Sequence, residues 1–192
     1  LYMTQRMDCH NHTHFSNIRL LDATNKPKVL IDYAIKIGLA GIAITDHECL
    51  SGHIEVNQYA QQILKEYPDF KIALGNEIYL TDYREPGQRY WHFILVAKDA
   101  EGHKQLRKLS SIAWLNSYFD RGMERVPTLK EDLVKIVKEN PGHLIATTAC
   151  IGGELGGTIL ELEKARKIGD QSSEYRSKQR MIDWVLWCKE IL

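Results

Sequence analysis

The sequence predicts an α/β fold, and three observations carry that reading. Short apolar segments suited to buried strands recur at 41–45, 71–80, 90–97 and 143–148. Amphipathic helical patterns lie between them, and no low-complexity linker or internal repeat divides the 192 residues into separate units. Strands alternating with helices imply a mainly parallel sheet with crossover helices, because parallel neighbours cannot be joined by a tight turn. A single domain over 1–192 is long enough to bury a sizeable core.

In chain order, 28–38 reads as the first helix and Gly41-Ile42-Ala43-Ile44-Thr45 as the first apolar strand. Residues 52–67 form the next helix, followed by a strand from Lys71 to Leu80. The segment 81–89 is rich in charge and carries Pro86-Gly87, which places it in an exposed loop before the strand Tyr90 to Ala97. A third helix spans 101–118. The clearest helix runs from Thr128 to Asn140: Thr128 and Glu131 form a capping-box signature, Leu129, Leu133, Ile136 and Val137 make an apolar stripe, and Pro141-Gly142 ends it. His143 to Thr148 is the last strand. Ser172 to Leu192 reads as one long helix, whose Trp184, Leu186, Trp187, Ile191 and Leu192 run to the chain end without a stop signal. With Leu1 rather than methionine at the start, these ends predict a piece of a longer protein.

Lysine plus arginine number 25 and aspartate plus glutamate number 25, so no global positive field draws the chain to nucleic acid or anionic lipid. Any DNA contact needs a local patch. Cys9, Cys49, Cys150 and Cys188 sit singly and far apart, unlike a zinc ribbon or a secreted disulfide scaffold, which predicts a reducing, cytoplasmic compartment. No apolar run approaches the roughly 20 residues that span a bilayer, and no charged-then-apolar leader opens the sequence, so neither membrane insertion nor export is expected.

The chemistry-bearing residues stand out against this apolar background. Asp8-Cys9-His10-Asn11-His12-Thr13-His14 alternates histidines, and in an extended strand residues two apart share a face, so His10 and His12 can grip one cation, with His14 continuing the row. Thr45-Asp46-His47 puts a carboxylate and an imidazole where an apolar strand finishes, the place where α/β folds keep their sites. Glu77 follows Leu74-Gly75-Asn76 inside an otherwise apolar strand; buried alone it would cost several kcal/mol, so it needs a cation or a hydrogen-bonded partner. His92 interrupts Trp91 to Val96, and Cys150 follows Leu144 to Ala149. Taken singly, His92 reads as a hydrogen-bonded core histidine and Cys150 as a small buried hydrophobe. Recurrence at strands and strand ends makes a metal cluster the stronger reading, and more than four candidates suggest two or three ions.

These residues, in this order, resemble the PHP (polymerase and histidinol phosphatase) family. The likeness is greatest to the amino-terminal domain of bacterial DNA polymerase III alpha subunits. It is carried by His10-Asn11-His12-Thr13 with Phe15-Ser16, Leu20-Leu21-Asp22, Ala43 to His47, Leu74 to Glu77, His92 to Lys98, and Ala149 to Glu154, and it spans nearly the whole chain. The resemblance implies a distorted, TIM-like (β/α)7 barrel and up to three divalent ions, zinc, manganese or iron. Their implied ligands are His10, His12, Asp22, His47, Glu77, His92 and Cys150, the cysteine being a feature of the polymerase branch. Asn17-Ile18-Arg19 lengthen the loop before Asp22. The family's final Asp-x-His pair has no counterpart in this sequence, so the barrel is expected to be incomplete at its C-terminal end.

The implied chemistry is hydrolysis of a phosphate ester, as a 3′–5′ exonuclease or a pyrophosphate-hydrolysing activity serving DNA replication within a DNA-directed DNA polymerase. Glu77 would bridge two ions, and Asp46 would orient a ligand imidazole from behind. The implied partners are DNA, the remainder of the polymerase chain and a proofreading exonuclease subunit. Two rival readings stand beside this one. In the first, the metals brace a non-catalytic scaffold that docks the polymerase core or the exonuclease. In the second, the chain is a free-standing phosphatase of the histidinol-phosphate kind, against which Cys150 in Ala-Cys-Ile-Gly-Gly-Glu stands.

Overall fold

The computed structural model describes residues 6–18, 21 and 23–192, and Asp22 lies outside the described residues. In chain order the elements are β1 (Met7–Asp8), a single 3-10 turn (His14–Ile18), α1 (Pro27–Lys36), β2 (Gly41–Ile44), α2 (His53–Ile63), β3 (Lys71–Thr81), β4 (Trp91–Ala97) and α3 (Ala100–Leu115). They continue with β5 (Tyr118–Asp120), β6 (Met123–Arg125), β7 (Pro127–Leu129), α4 (Lys130–Glu139), β8 (Leu144–Thr147), α5 (Glu154–Ile168) and α6 (Gln171–Ile191). The α/β class read from the sequence is the class observed.

Strand β3 is the seam of the sheet, whose order is β1-β2-β3-β4-β8 with β7 also on β3. Along one edge β3 pairs in parallel with β2, from Gly41↔Lys71 to Ile44↔Leu74, and further along with β7, from Tyr79↔Pro127 to Thr81↔Leu129. Between these stretches the chain leaving β2 makes one parallel bridge, His47↔Glu77. The other edge is filled by β4, antiparallel from Gly75↔Val96 to Leu80↔Trp91, and β8 is antiparallel to β4 in turn. The result is a curled, open half-barrel with six α-helices among the described residues.

The expectation of a mainly parallel sheet is corrected at β4. No helix lies between β3 and β4, only the loop 82–90, and a connection without a crossover element closes an antiparallel hairpin. That loop is exposed over most of its length, as its charge and Pro86-Gly87 suggested.

Strand alternation gives the sheet two faces. Ile78 and Leu80 of β3, with Phe93 and Leu95 of β4, pack outward on Leu106 and Leu109 of α3, on Leu133, Ile136 and Val137 of α4, and on Trp184 and Ile191 of α6. Ile42 and Ile44 pack likewise on Ile31, Ala34 and Val56. Each such fully buried side chain contributes about 1.5–3 kcal/mol of transfer free energy, offset by the entropy of ordering the chain. The opposite face carries Glu77, Tyr79 and His92 beside the small cluster of Ala43, Ile94 and Val96. The functional residues therefore sit on the concave side, and the helices hold the sheet from outside.

Three local expectations change. Thr128 does not cap a helix: it lies in β7, its buried hydroxyl has no hydrogen-bond partner, and α4 begins at Lys130 without a side-chain cap. Pairing with β3 holds Thr128 extended, so tertiary structure overrides the local signal. The helix expected over 101–118 stops at Leu115, and Tyr118 instead opens the β5–β6 hairpin, whose turn places Arg121 (φ 52°) and Gly122 (φ 76°) in the left-handed region. Helix α5 went unread because Gly156 and Gly157 weaken its pattern. Gly157 is required there by packing, since a Cβ would stand 2.5 Å from the Trp91 ring. The long helix read over 172–192 is α6.

Candidate metal centre

The paired histidines are not in a strand. β1 ends at Asp8, and the stretch that follows is tied to β2 through Asn11. The Asn11 side chain donates to Ala43 O at 3.1 Å and its main-chain N–H donates to Thr45 Oγ1 at 3.0 Å, while Thr45 N donates to Asn11 O at 2.9 Å. With Asn11 turned to the sheet edge, His10 and His12 on either side turn to the concave face. A non-strand segment thus delivers the convergence that strand alternation was expected to give.

Four imidazoles close on Glu77, whose carboxylate is fully buried. Oε2 lies 3.0 Å from His10 Nε2, 2.9 Å from His12 Nε2 and 3.4 Å from His47 Nδ1, and Oε1 lies 2.7 Å from His92 Nδ1. Among the described residues two groups of side chains can hold a metal ion, His10–His12–Glu77 and His47–Glu77–His92, and Glu77 belongs to both. Burial pushes the Glu77 carboxyl upward, but the contacts with His10, His12 and His92 and the nearby His47 outweigh it and hold the group well below the usual carboxylate range.

Ser16 decides what His12 presents. Its hydroxyl has one proton and lies 2.8 Å from Asp46 Oδ1, an acceptor, so the proton points there. Ser16 Oγ then accepts from His47 N at 3.1 Å and from His12 Nδ1 at 3.3 Å. Thr13 completes the support by donating to the fully buried Asp46 from its main chain at 2.5 Å and from its hydroxyl at 2.8 Å. With the proton on Nδ1, His12 Nε2 turns a lone pair toward His10 Nε2 at 3.0 Å and toward Glu77. A lone pair and a carboxylate oxygen at that separation repel unless a cation, a proton or a metal ion, lies among them. The donor set of imidazole nitrogens and carboxylate oxygens fits a divalent metal ion.

Cys150 reaches the edge of the cluster. Its Sγ is exposed, lies 3.6 Å from His92 Nδ1 and accepts from Gly152 N at 3.3 Å, and it stands outside both groups just described. Gly152 packs on the same ring, so that a Cβ there would lie 3.1 Å from it. His14 does not continue the row: it opens the 3-10 turn and its ring lies against Phe15 at 4.3 Å. Two non-glycine residues with positive φ flank the ligand candidates, Glu48 (50°) after His47 and Ala149 (56°) before Cys150. Such backbone persists where surrounding structure over-determines it.

Sequence reasoning missed Thr13 and Ser16 as supports, and it missed Tyr79, whose ring stacks on His47 at 5.5 Å and meets His92 edge-on at 4.9 Å. The signal for Tyr79 was available, because it lies two residues past Glu77 on the same strand face. Small hydroxyl residues carry no comparable pattern.

The PHP domain family matches residues 8–187. Over 194 residues the chain is 43% identical to the probable DNA polymerase YorL of Bacillus subtilis (strain 168) and to the DNA-directed DNA polymerase of Bacillus phage SPbeta, covering 95% of this chain and 15% of each relative. It is 31% identical over 189 residues to the DNA polymerase III subunit alpha of Borreliella burgdorferi, covering 95% of this chain and 14% of that one. The chain therefore spans about 15% of the length of the curated relatives it matches. The family match runs from Asp8, just before the paired histidines, to Trp187 in α6, and the chain belongs to the PHP domain family.

Proposed function

We propose that this chain is a metal-dependent phosphoesterase domain within a DNA polymerase of replication, cleaving a DNA 3′ end or pyrophosphate. One observation carries the reading: a fully buried carboxylate, Glu77, is ringed by four imidazoles and, among the described residues, pairs with no lysine or arginine. His10 and His12 would hold one zinc, manganese or iron ion with Glu77, and His47 and His92 a second, with Cys150 beside His92. Asp22 joins the set on resemblance alone. Divalent ions supply Lewis acidity toward a phosphate oxygen and toward water. Ser16 and Asp46 fix the His12 ring, and Tyr79 walls the His47 and His92 rings.

The polymerase names of the relatives support a longer parent chain, in which DNA and the rest of the polymerase are the partners, and they weigh against a free-standing small-molecule phosphatase. A second reading draws on the sheet edges: among the described residues β1 and β8 end the strand order, as suits a domain whose ions brace a surface for the polymerase core or a proofreading exonuclease. Among the described residues no helix is long and apolar enough to cross a membrane.

Hydrolysis of end-labelled single-stranded DNA with added manganese, run on the chain and on His12→Ala, tests the proposal. Turnover that requires manganese and is lost in the variant supports the enzyme. Equal rates in the two proteins discard it, and anomalous-scattering peaks at the histidines would then leave the bracing role.

A further inference from the structure

Among the described residues, Arg125 on the β5–β6 hairpin has no carboxylate partner. The β5–β6 hairpin is pinned to the loop between β3 and β4 by two phenols: the Tyr118 hydroxyl donates to Glu85 O at 2.8 Å, and so accepts from the Tyr90 hydroxyl. Arg125, the last residue of β6, lies over the Tyr90 ring with Cζ 5.7 Å from its centroid. Tyr90 precedes His92 by two residues. Two residues beyond Arg125, Pro127 pairs with Tyr79, whose ring contacts His47 and His92. Arg125 thus lies over a residue two before His92, and two residues along its own chain from the strand partner of Tyr79.

Arg84 pairs with Asp132, and Arg89 and Arg180 pair with Glu161. Arg125 has no carboxylate partner among the described residues: its polar contact is Met123 Sδ at 3.4 Å, and its buried Nε has no hydrogen-bond partner. A partly shielded guanidinium held over a ring, with a thioether as its acceptor and its buried Nε unmatched, is poorly satisfied by itself. Its planar array of donors matches phosphate oxygens, and the stack on Tyr90 removes part of the freedom it would otherwise lose on binding.

We propose that Arg125 binds a phosphate of the substrate, which makes the β5–β6 hairpin a substrate-facing wall and a nucleotide phosphate the ligand class. This rests on the phosphoesterase reading of the cluster. Arg125 positions the ester; the histidine–glutamate cluster remains responsible for the chemistry.

The test titrates thymidine 5′-monophosphate into the chain by calorimetry, as wild type, Arg125→Met and Arg125→Lys, with and without manganese, and measures manganese binding to each protein separately. All three should bind manganese alike. Arg125→Met should weaken nucleotide binding about tenfold or more, with Arg125→Lys between, because lysine keeps the charge and loses the fork. Equal nucleotide affinity in wild type and Arg125→Met overturns the proposal, and so does a folded wild type that binds no nucleotide. A wild type that binds no manganese removes the phosphoesterase reading instead, while the metal-free comparison of wild type with Arg125→Met still reads Arg125 directly.

Discussion

His47 and Glu77 face each other across a bridge that the main chain closes on both sides, with Glu77 N donating to Asp46 O at 3.1 Å and Glu48 N donating to Glu77 O at 3.0 Å. The spacing of these two side chains is therefore set by backbone hydrogen bonds before any rotamer is chosen. Such a frame can hold ligands in place without the ion, which lowers the reorganisation that binding requires.

Glu77→Gln keeps the shape of the centre and removes its charge. Manganese should raise the melting temperature of the wild type and leave the variant unmoved, with metal affinity falling more than about 100-fold, beyond the range seen for residues behind the ligands. Differential scanning calorimetry with manganese and with chelator reads both effects. A wild type whose melting temperature ignores the metal would count against the whole centre.

Ser16→Ala separates His12 from Asp46. Metal affinity should fall about 10- to 100-fold because the ring loses the partner that fixes its tautomer. Stability should fall by about 1–3 kcal/mol, the cost of leaving part of Asp46 without its donor. Titration calorimetry and urea unfolding measure these separately, and unchanged manganese affinity would mean that the ring is oriented by something else.

Gly152→Ala tests the second group. Its Cβ would meet the His92 ring at 3.1 Å, so the ring must shift by a few tenths of an ångström. Weaker metal binding with a nearly unchanged melting temperature is expected. An equal loss in both would show that the glycine serves the turn rather than the ring.

His53 gives the stability a pH dependence of its own. Burial first, and then His103, push its imidazole down to about 4 from the usual 6.5, and the neutral ring donates from Nε2 to Gly75 O at 2.9 Å while Nδ1 faces His103 Nε2 at 3.0 Å. The unfolded chain takes up the proton first, so stability is fully present above about pH 6.5 and is lost as pH falls toward about 4, by roughly 3 kcal/mol. His53→Gln should flatten that part of the profile in urea unfolding with chelator present. A parallel slope in both proteins would assign the effect to other groups.

Glu77 and His92 stood out in the sequence because a polar group inside an apolar strand is costly, so its presence points to a partner, whereas His10 and His12 stood out by their alternation and His47 by its place after an apolar strand. Ser16 and Thr13 gave no such signal, because a buried hydroxyl is cheap to satisfy and common. The α/β class was legible from alternating patterns, whereas the antiparallel turn into β4 depended on the absence of a helix between 82 and 90. Thr128 was misread for the opposite reason, since a sound local helix signal lost to pairing with β3.

Among the described residues, the four imidazoles that meet the Glu77 carboxylate lie between His10 and His92, ahead of α3. During synthesis, then, Glu77 and its four imidazoles leave the ribosome before Cys150 and before any of the helices that cover the outer face of β3 and β4. An ion captured at that stage would act as a cross-link among three chain segments, shrinking the unfolded ensemble of a nascent half-domain. Metal supply during translation would thereby govern how much of the newly made chain reaches the native state.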